Sequence, residues 1–555
     1  MPQDAFTISY AAKELKELLV GGKISRIIQP AREELTFIIY TRSGNLKLDA
    51  CLSARAARLS ISDDEKPVPQ VAPNFCMLLR KHLQNAEILD VAQPNFERIV
   101  YFDLKCVSDF SSSVMRLYFE IMGKYSNAVL CDENGAIVGA LKTTSIGDDT
   151  KRLILGGVKY SLPEPQDKAP PKDLEALKKI LTSDGDRVKL IADKVTGISY
   201  ATALEAVESL GEDMTAEELY DYLFSAQPEP CVTYLNGEPN DFKVRSVSGE
   251  QVRYPTLLKA QAAYYSYIYK KQTFQTAKTK AESALNAQIK KTEKRLAEIH
   301  AKLSECDGAE KIKLKGELIT ANIYAIERGA KFLECVNYYD PDGGKIKIEL
   351  DNTLTPAQNA QKYYKKYAKL KRTFISVSEQ KLQADKKLDY LKSISAHLNA
   401  AEELVDIEEI SEELIQLGFI KAVKVKNKKP TLTPYREFEF GGFRIIAGRN
   451  NLQNERLTKS LAPEDIWLHT QKYHSSHVGI ITDGREVPDG VIKVAAEICA
   501  YYSDGKEGTK IPVDYTKKKF VKKPPKTDAG FVIYTDYKTA LADPNAHREL
   551  IKEDL

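Results

Sequence analysis

The stretch Leu285–Cys306, LNAQIKKTEKRLAEIHAKLSEC, decides the architecture. Its Leu285, Ile289, Thr292, Leu296, Ile299, Leu303 and Cys306 follow alternating four- and three-residue steps, the spacing of a heptad seam on a long helix. A second seam runs through Tyr367, Leu370, Phe374 and Val377 and, after a polar Lys381, through Ala384, Leu388, Leu391 and Leu398. Two such seams in one chain predict an antiparallel intramolecular coiled coil. At 1.5 Å per residue, an arm over residues 257–305 would be about 70 Å long. Between the arms, residues 310–332 read as a further helix and KIKIELD at 345–351 as a strand, so a small tip domain at 306–356 caps the pair.

Charge follows the same division. The net charge is only +3, but residues 257–305 hold ten Lys and Arg against four Glu, and residues 357–403 hold ten against five acids. Residues 401–413 then carry seven acids and no base, on an amphipathic helix read over 406–419. Two basic arms and the Lys-rich KKKFVKKPPK at 517–526 point to a large polyanionic partner.

On either side the pattern changes to α+β. RIIQPAREELTFIIYT with GNLKLDACL, and FERIVYFDLKCV with VMRLYFEIM, read as paired antiparallel strands. In NAVLCDENGAIVGAL an Asp-Glu-Asn-Gly turn separates two apolar runs, a hairpin signal. The Pro-rich SLPEPQDKAPPKD at 161–173 marks a boundary, and LIADKVTGISYATALEAV is a helix, a turn at 196–199 and a second helix. That segment is either a helix-hairpin-helix aiming backbone N–H groups at a phosphate or a plain helical hairpin. The predicted order is an N-terminal α+β domain at 1–168, a helix-hairpin-helix domain at 171–228, a β-rich connector at 229–256 and the coiled coil with its tip at 257–405. An acidic helix and linker at 406–431 and a C-terminal α+β domain at 432–555 complete it.

No run of about 18 apolar residues exists and the N-terminus does not read as a secretory leader, so no membrane association and a cytoplasmic location are expected. The eight cysteines form no CxxC pair and read as reduced thiols, mostly buried. GxxxxGK[ST], GxGxxG after a strand, GxSxG, HExxH and EF-hand patterns are all missing, so no catalytic residue and no cofactor are expected. His469, His474 and His477 could hold zinc, but their spacing is not helical and a structural or RNA-contacting role is preferred to a metal site. Trp467 reads as a core anchor, with Asp465 and His469 sharing a strand face close to Ser476 and His477. Glu97 and Arg98 stand at a strand start, where they are either a solvated pair or an RNA-reading pair.

These residues carry a resemblance. NFCMLLRKHL at 74–83, FERI at 96–99, EIMGKYSNAVL at 120–130, LKGELITANIYAI at 314–326, NYYD at 337–340 and LDNTLTPAQNAQKYYKKYAKLK at 350–371 resemble the N-terminal and middle regions of the NFACT family. GRNNLQNERLT at 448–458, DIWLHTQKYHSSHV at 465–478 and PVDYTKKKFVKKP at 512–524 resemble its C-terminal RNA-binding domain. The resemblance is to the bacterial ribosome quality-control members, known by the older name of fibronectin-binding proteins. It implies an N-terminal fold similar to formamidopyrimidine-DNA glycosylases. Their N-terminal proline corresponds to Pro2, but their glutamate is replaced by Gln3, whose amide cannot do acid/base work.

The resemblance further implies an adaptor on the large (50S) ribosomal subunit holding a stalled peptidyl-tRNA. Such an adaptor recruits tRNA-Ala for untemplated alanine tailing, which marks the nascent chain for degradation, while the ribosome makes the peptide bond. Expected partners are that subunit, its rRNA, tRNA-Ala and, as a candidate, an Hsp15-like RNA-binding protein. By the same resemblance Arg98 matches the arginine of an Asp-Arg pair needed for tRNA recruitment, with Glu97 in place of the usual Asp. Glu120, Ile121, Met122 and Gly123 match a neighbouring motif on the tRNA-binding face. Asp465, Trp467, His469, Ser476 and His477 match the C-terminal signature, where Ser475 replaces a usual glycine and puts any positive φ there in doubt. Lys518, Lys519, Lys522 and Lys523 are expected to contact RNA phosphates. The alternatives are a fibronectin-binding surface adhesin, disfavoured by the missing leader, and a DNA glycosylase-like protein, disfavoured by Gln3.

Overall fold

The computed structural model describes residues 3–66, 68–108, 111–144, 152–341, 343–421 and 433–549. Pro2 and most of the linker after the acidic helix lie outside them. The chain forms two compact units, Met1–Lys271 and Gln272–Leu555.

The first unit is built on a nine-stranded antiparallel sheet. Its spatial order is Arg58–Ile61, Gly44–Cys51, Glu34–Thr41, Lys23–Ala31, Glu87–Ala92, Ile99–Ser108, Ser111–Glu120, Asn127–Cys131 and Ile137–Ala140. The strand pairs read from alternating apolar residues are present, including the hairpin across Asp132–Ala136. Helices Ala5–Leu19 and Asn74–Leu83 bury Phe6, Leu15, Leu19, Cys76 and Leu79 in the main core with Phe37, Phe102 and Phe119 of the sheet. A three-stranded sheet, Glu238–Lys243, Cys231–Leu235 and Gln251–Arg253, follows four short helices.

Among those helices, Arg187–Lys194 and Tyr200–Leu210 flank the 196–199 turn. Asp4 reaches this turn with the carboxylate that caps the first helix. One oxygen accepts from the Thr7 N–H at 2.9 Å. The other accepts from the Ser199 N–H at 3.0 Å and the Thr202 hydroxyl at 2.6 Å. A turn N–H that could have met a phosphate is thus used by a side chain of the same unit, and the Thr196 N–H is taken by the Ala169 carbonyl. At Gly197 (φ +76°) a Cβ would lie 2.6 Å from Ala5 Cβ and 2.7 Å from Phe96 Cδ1, so only glycine lets the turn dock there.

In the second unit, helix Pro356–Asn399 packs antiparallel to the later part of helix Leu257–Cys306. Ala281 and Leu285 meet Leu391, Ile394 and Leu398, while Leu296 and Ile299 meet Val377 and Ala384. The seam departs from expectation at Phe374, which is 48% exposed, while Tyr367 and Leu370 on one side stay half-buried and Val377 on the other is buried. The tip differs too. Its helix is Ala309–Ala321, ended by Asn322 well short of residue 332, and Phe332–Val336 is instead a strand paired with Lys345–Glu349. Leu318, Ile319, Leu333 and Ile348 form its core.

The acidic helix Leu404–Gln416 is not wholly solvated. Asp406 is buried, 2.8 Å from Arg436 and 2.5 Å from Arg449. These ion pairs lock it to a six-stranded antiparallel sheet, Arg436–Phe440, Phe443–Ala447, Val478–Ile481, Ile466–Thr470, Ile511–Lys517 and Lys538–Ala542. Helix Asp489–Tyr501 covers this sheet with Val494, Ala495 and Ile498. All eight cysteines are free, seven of them buried and Cys106 half-buried. Among the described residues no helix is long and apolar enough to cross a membrane.

Candidate RNA interface

The two N-terminal motifs meet across one strand pair. Ile99 faces Glu120 in register, and one step beyond it the Ile121 N–H donates to the Arg98 carbonyl at 2.8 Å. The loop leading to Glu97 is bent through two consecutive left-handed residues, Asn95 (φ +48°) and Phe96 (φ +56°). That conformation is costly for a bulky residue such as Phe96. It is held by the Phe96 ring, 5.5 Å from Phe224, and by Gln93, whose side-chain amide donates to the Glu97 carbonyl at 2.8 Å. Glu97 and Arg98 end up half-buried, and burial raises the Glu97 carboxyl against the pull of Arg98.

The four residues from Glu120 to Gly123 divide their work. Glu120 is 2% exposed and accepts from Arg152 at 2.5 Å and from the Tyr160 hydroxyl at 2.7 Å. Ile121 lies in the apolar core. Met122 donates its N–H to the Ser126 hydroxyl, and Gly123 (φ +58°) opens a short 3-10 turn. The exposed side chains at this corner are Lys124 and Tyr125, the ammonium 4.8 Å from the ring centre. The sequence reading passed over both, although a basic and an aromatic residue side by side are a nucleic-acid signal.

In the second unit the signature residues are largely interior. Asp465 accepts from the Thr482 N–H at 2.9 Å and hydroxyl at 3.0 Å, and from the Ala462 N–H at 2.8 Å. Trp467 is fully buried, as expected of an anchor, and its indole N–H donates to Thr458 at 3.2 Å. The same Thr458 hydroxyl lies 2.7 Å from His477 Nδ1. His469 stacks on Trp467 with ring centres 5.8 Å apart, and His477 meets the indole edge-on at 5.1 Å. Ser476 donates to the Gly448 carbonyl at 2.6 Å. Burial holds His469 down to about 4 and drives His477 well below its ordinary value, so both rings are neutral at pH 7. Ser475 is absent from the left-handed residues, the nearest being Lys472 (φ +60°), so serine fits there without strain.

His474 lies 3.5 Å from Asp389, and among the described residues no cluster of three His, Cys, Asp or Glu could hold a metal. The lysines also divide. Lys519 pairs with Glu464 at 2.8 Å and Lys523 with Glu455, whereas Lys518 and Lys522 have no ion-pair partner among the described residues.

Residues 4–433 match the NFACT N-terminal and middle domains, and residues 435–536 match the NFACT protein RNA binding domain. The chain belongs to the NFACT family. This NFACT chain is 33% identical over 553 residues, 96% of each chain, to the Rqc2 homolog RqcH of Bacillus subtilis. It is 29% identical to the Rqc2 homolog RqcH of Streptococcus suis, covering 98% of both. A solved structure of the N-terminal part of the fibronectin/fibrinogen-binding protein from Streptococcus suis is 25% identical with a TM-score of 0.44, covering 47% of this chain and 98% of that one.

Proposed function

We propose that this NFACT protein is a ribosome-associated quality-control factor of the cytoplasm. In this reading it binds large (50S) subunits carrying a stalled peptidyl-tRNA and recruits tRNA-Ala for untemplated alanine tailing. The observation that carries it is the near full-length similarity to proteins named Rqc2 homolog RqcH. The joined corner of Arg98, Glu97 and Glu120–Gly123, with exposed Lys124 and Tyr125, supports a tRNA-facing surface on the first unit. The paired long helices serve as a coiled-coil arm and the 171–228 helices as a helix-hairpin-helix module. Arm and tip would dock on rRNA and ribosomal protein, and Lys518 and Lys522 would supply phosphate contacts, with Lys519 and Lys523 shared between RNA and their glutamates.

The role of the chain is then positional, bringing a charged tRNA to the ribosome's own peptidyl-transferase centre. Asp465, Trp467, His469, Ser476 and His477 act in RNA binding by shaping the domain. An Hsp15-like protein remains a candidate partner. The test is sedimentation of lysate through sucrose, with a stalled reporter examined for C-terminal alanine. Deletion of residues 306–356 should release the protein from the 50S fraction. An untailed reporter in cells holding the intact protein, or a protein that never meets the 50S peak, overturns the reading.

A further inference from the structure

A cavity of about 840 Å³ opens within the second unit between helix Pro356–Asn399, the 471–475 loop and the 526–532 segment. This is the size class of sites for one small organic ligand, about 300–1,000 Å³. Its inner lining is ring-rich, with Trp467, His469, His477 and Tyr534 around the carboxylate of Asp514. The Tyr534 hydroxyl donates to Asp514 at 2.8 Å, which also takes a bond from Gln471 at 2.7 Å, so this carboxylate is already occupied.

The mouth has the opposite character. Phe531 and Tyr537 line it while remaining 52% and 50% exposed, with Tyr537 5.3 Å from Tyr534 in an edge-to-face pair. Lys386, Lys472 and Lys526 also line it, and none has an ion-pair partner among the described residues. Asp389, beside His474, and Asp528 are the acids on the same rim. Lys472 and Lys526 both hold φ +60°, a backbone conformation lysine rarely adopts and one that clusters at ligand clamps. Rings that can stack a base, set between strained and unpaired cations that can take phosphate, make the pattern of a single-strand nucleic-acid site.

We propose that this cavity takes one unpaired nucleotide of the bound RNA, with its base among Tyr534, Tyr537 and His469 and its flanking phosphates on Lys472 and Lys526. The proposal rests on the RNA-binding reading and deepens it. Uncharged rings around the Asp514 carboxylate disfavour a phosphate inside, which leaves the phosphates to the lysines of the mouth and fixes the orientation. Three of the five signature residues, Trp467, His469 and His477, then have a reason to be there, since they line the inner wall of this site.

The test measures the full chain, by fluorescence anisotropy, against an eight-nucleotide uridine strand and an abasic strand of equal length and charge. The uridine strand should bind about ten-fold more tightly, the effect of one stacked base. Ala529→Trp, which places an indole in the cavity mouth, should remove that preference while leaving the abasic affinity and its salt slope unchanged. Should Ala529→Trp fail to fold, Phe531→Ala with Tyr537→Ala, both at exposed positions, should abolish the same preference. Lys472→Gln with Lys526→Gln should weaken both strands and flatten the salt dependence. Equal binding of the two strands by the unaltered protein, or a preference that survives Ala529→Trp in a folded variant, overturns the proposal while leaving RNA binding intact. Binding of neither strand overturns both.

Discussion

Ile121 donates its backbone N–H to the carbonyl oxygen of Arg98. This bond uses nothing of either side chain, so it fixes where the Arg98 guanidinium begins without consuming it. One half of the corner supplies anchorage, through Ile121 and Glu120, and the other supplies presentation.

Arg98→Ala should therefore leave stability nearly intact. The carbonyl bond survives, and a half-exposed side chain contributes at most about 1 kcal/mol. Thermal melting should shift by only a few degrees, while tRNA co-purifying with the protein should disappear and 50S co-sedimentation persist. Normal tRNA recovery would return Glu97 and Arg98 to the status of a solvated pair.

Arg152→Leu should behave in the opposite way. It strands the buried Glu120 carboxylate, which keeps only the Tyr160 hydroxyl. Breaking one side of a buried pair costs about 3–5 kcal/mol, readable as a lowered urea midpoint. Tyr160→Phe removes one hydrogen bond and should cost nearer 1 kcal/mol.

Gly197→Ala is predicted to destabilise the first unit by about 2–4 kcal/mol, combining overpacking with the left-handed backbone. The strain arises from the added Cβ against Ala5 and Phe96. A melting temperature equal to that of the unaltered protein would contradict the packing described.

For the lysine cluster, Lys518→Gln with Lys522→Gln should lower the slope of log affinity against log salt by about 1.4, from two phosphate contacts at about 0.7 each on single-stranded RNA. Lys519→Gln and Lys523→Gln should do less per residue, because each gives up a glutamate when it meets RNA.

The buried His397 and His477 and the half-buried His469 contribute to the acid response of the second unit. Burial pushes His397 down to about 3 and His469 to about 4, with His477 also well below its ordinary value. In the unfolded chain they take up protons near pH 6.5. The unfolded state thus binds more protons as pH falls below that point. Their contribution is complete above about pH 6.5 and is lost as pH falls toward about 4 for His469 and about 3 for His397, at about 1.4 kcal/mol per pH unit for each ring. His397→Gln should remove one such share of the difference in urea midpoint between pH 7 and pH 5. An identical pH dependence in the variant would mean that the ring is already charged in the folded protein.

Much of the fold was legible from period and punctuation. The Ile99–Ser108 and Ser111–Glu120 strands alternate cleanly, and the Asp132–Ala136 turn joins the two strands read on either side of it. Trp467 between Ile466 and Leu468 was readable as an anchor. What local pattern cannot carry is pairing at a distance. Phe374 has the right spacing for the seam yet is 48% exposed, although Leu370 and Val377 on either side of it are not. Asp406 is acidic in sequence and buried in the fold, because its partners are Arg436 and Arg449. The ring-lined cavity draws on segments between residues 386 and 537, and its 526–537 wall, KTDAGFVIYTDY, has no local periodicity that would single it out.

The double cap at Asp4 has a consequence for how the protein is made. Its second oxygen waits for Thr202, 198 residues further along the chain. At about 5–20 residues per second, that partner is synthesised about 10–40 s after Asp4. During that interval Asp4 caps the first helix through the Thr7 N–H alone, and the face of it that meets the hairpin stays uncovered. The N-terminal half therefore cannot mature from its start onward. Its opening residues are held in abeyance until the 196–202 turn has left the exit tunnel, and a truncation upstream of that turn would leave a nascent chain with its first helix unsealed.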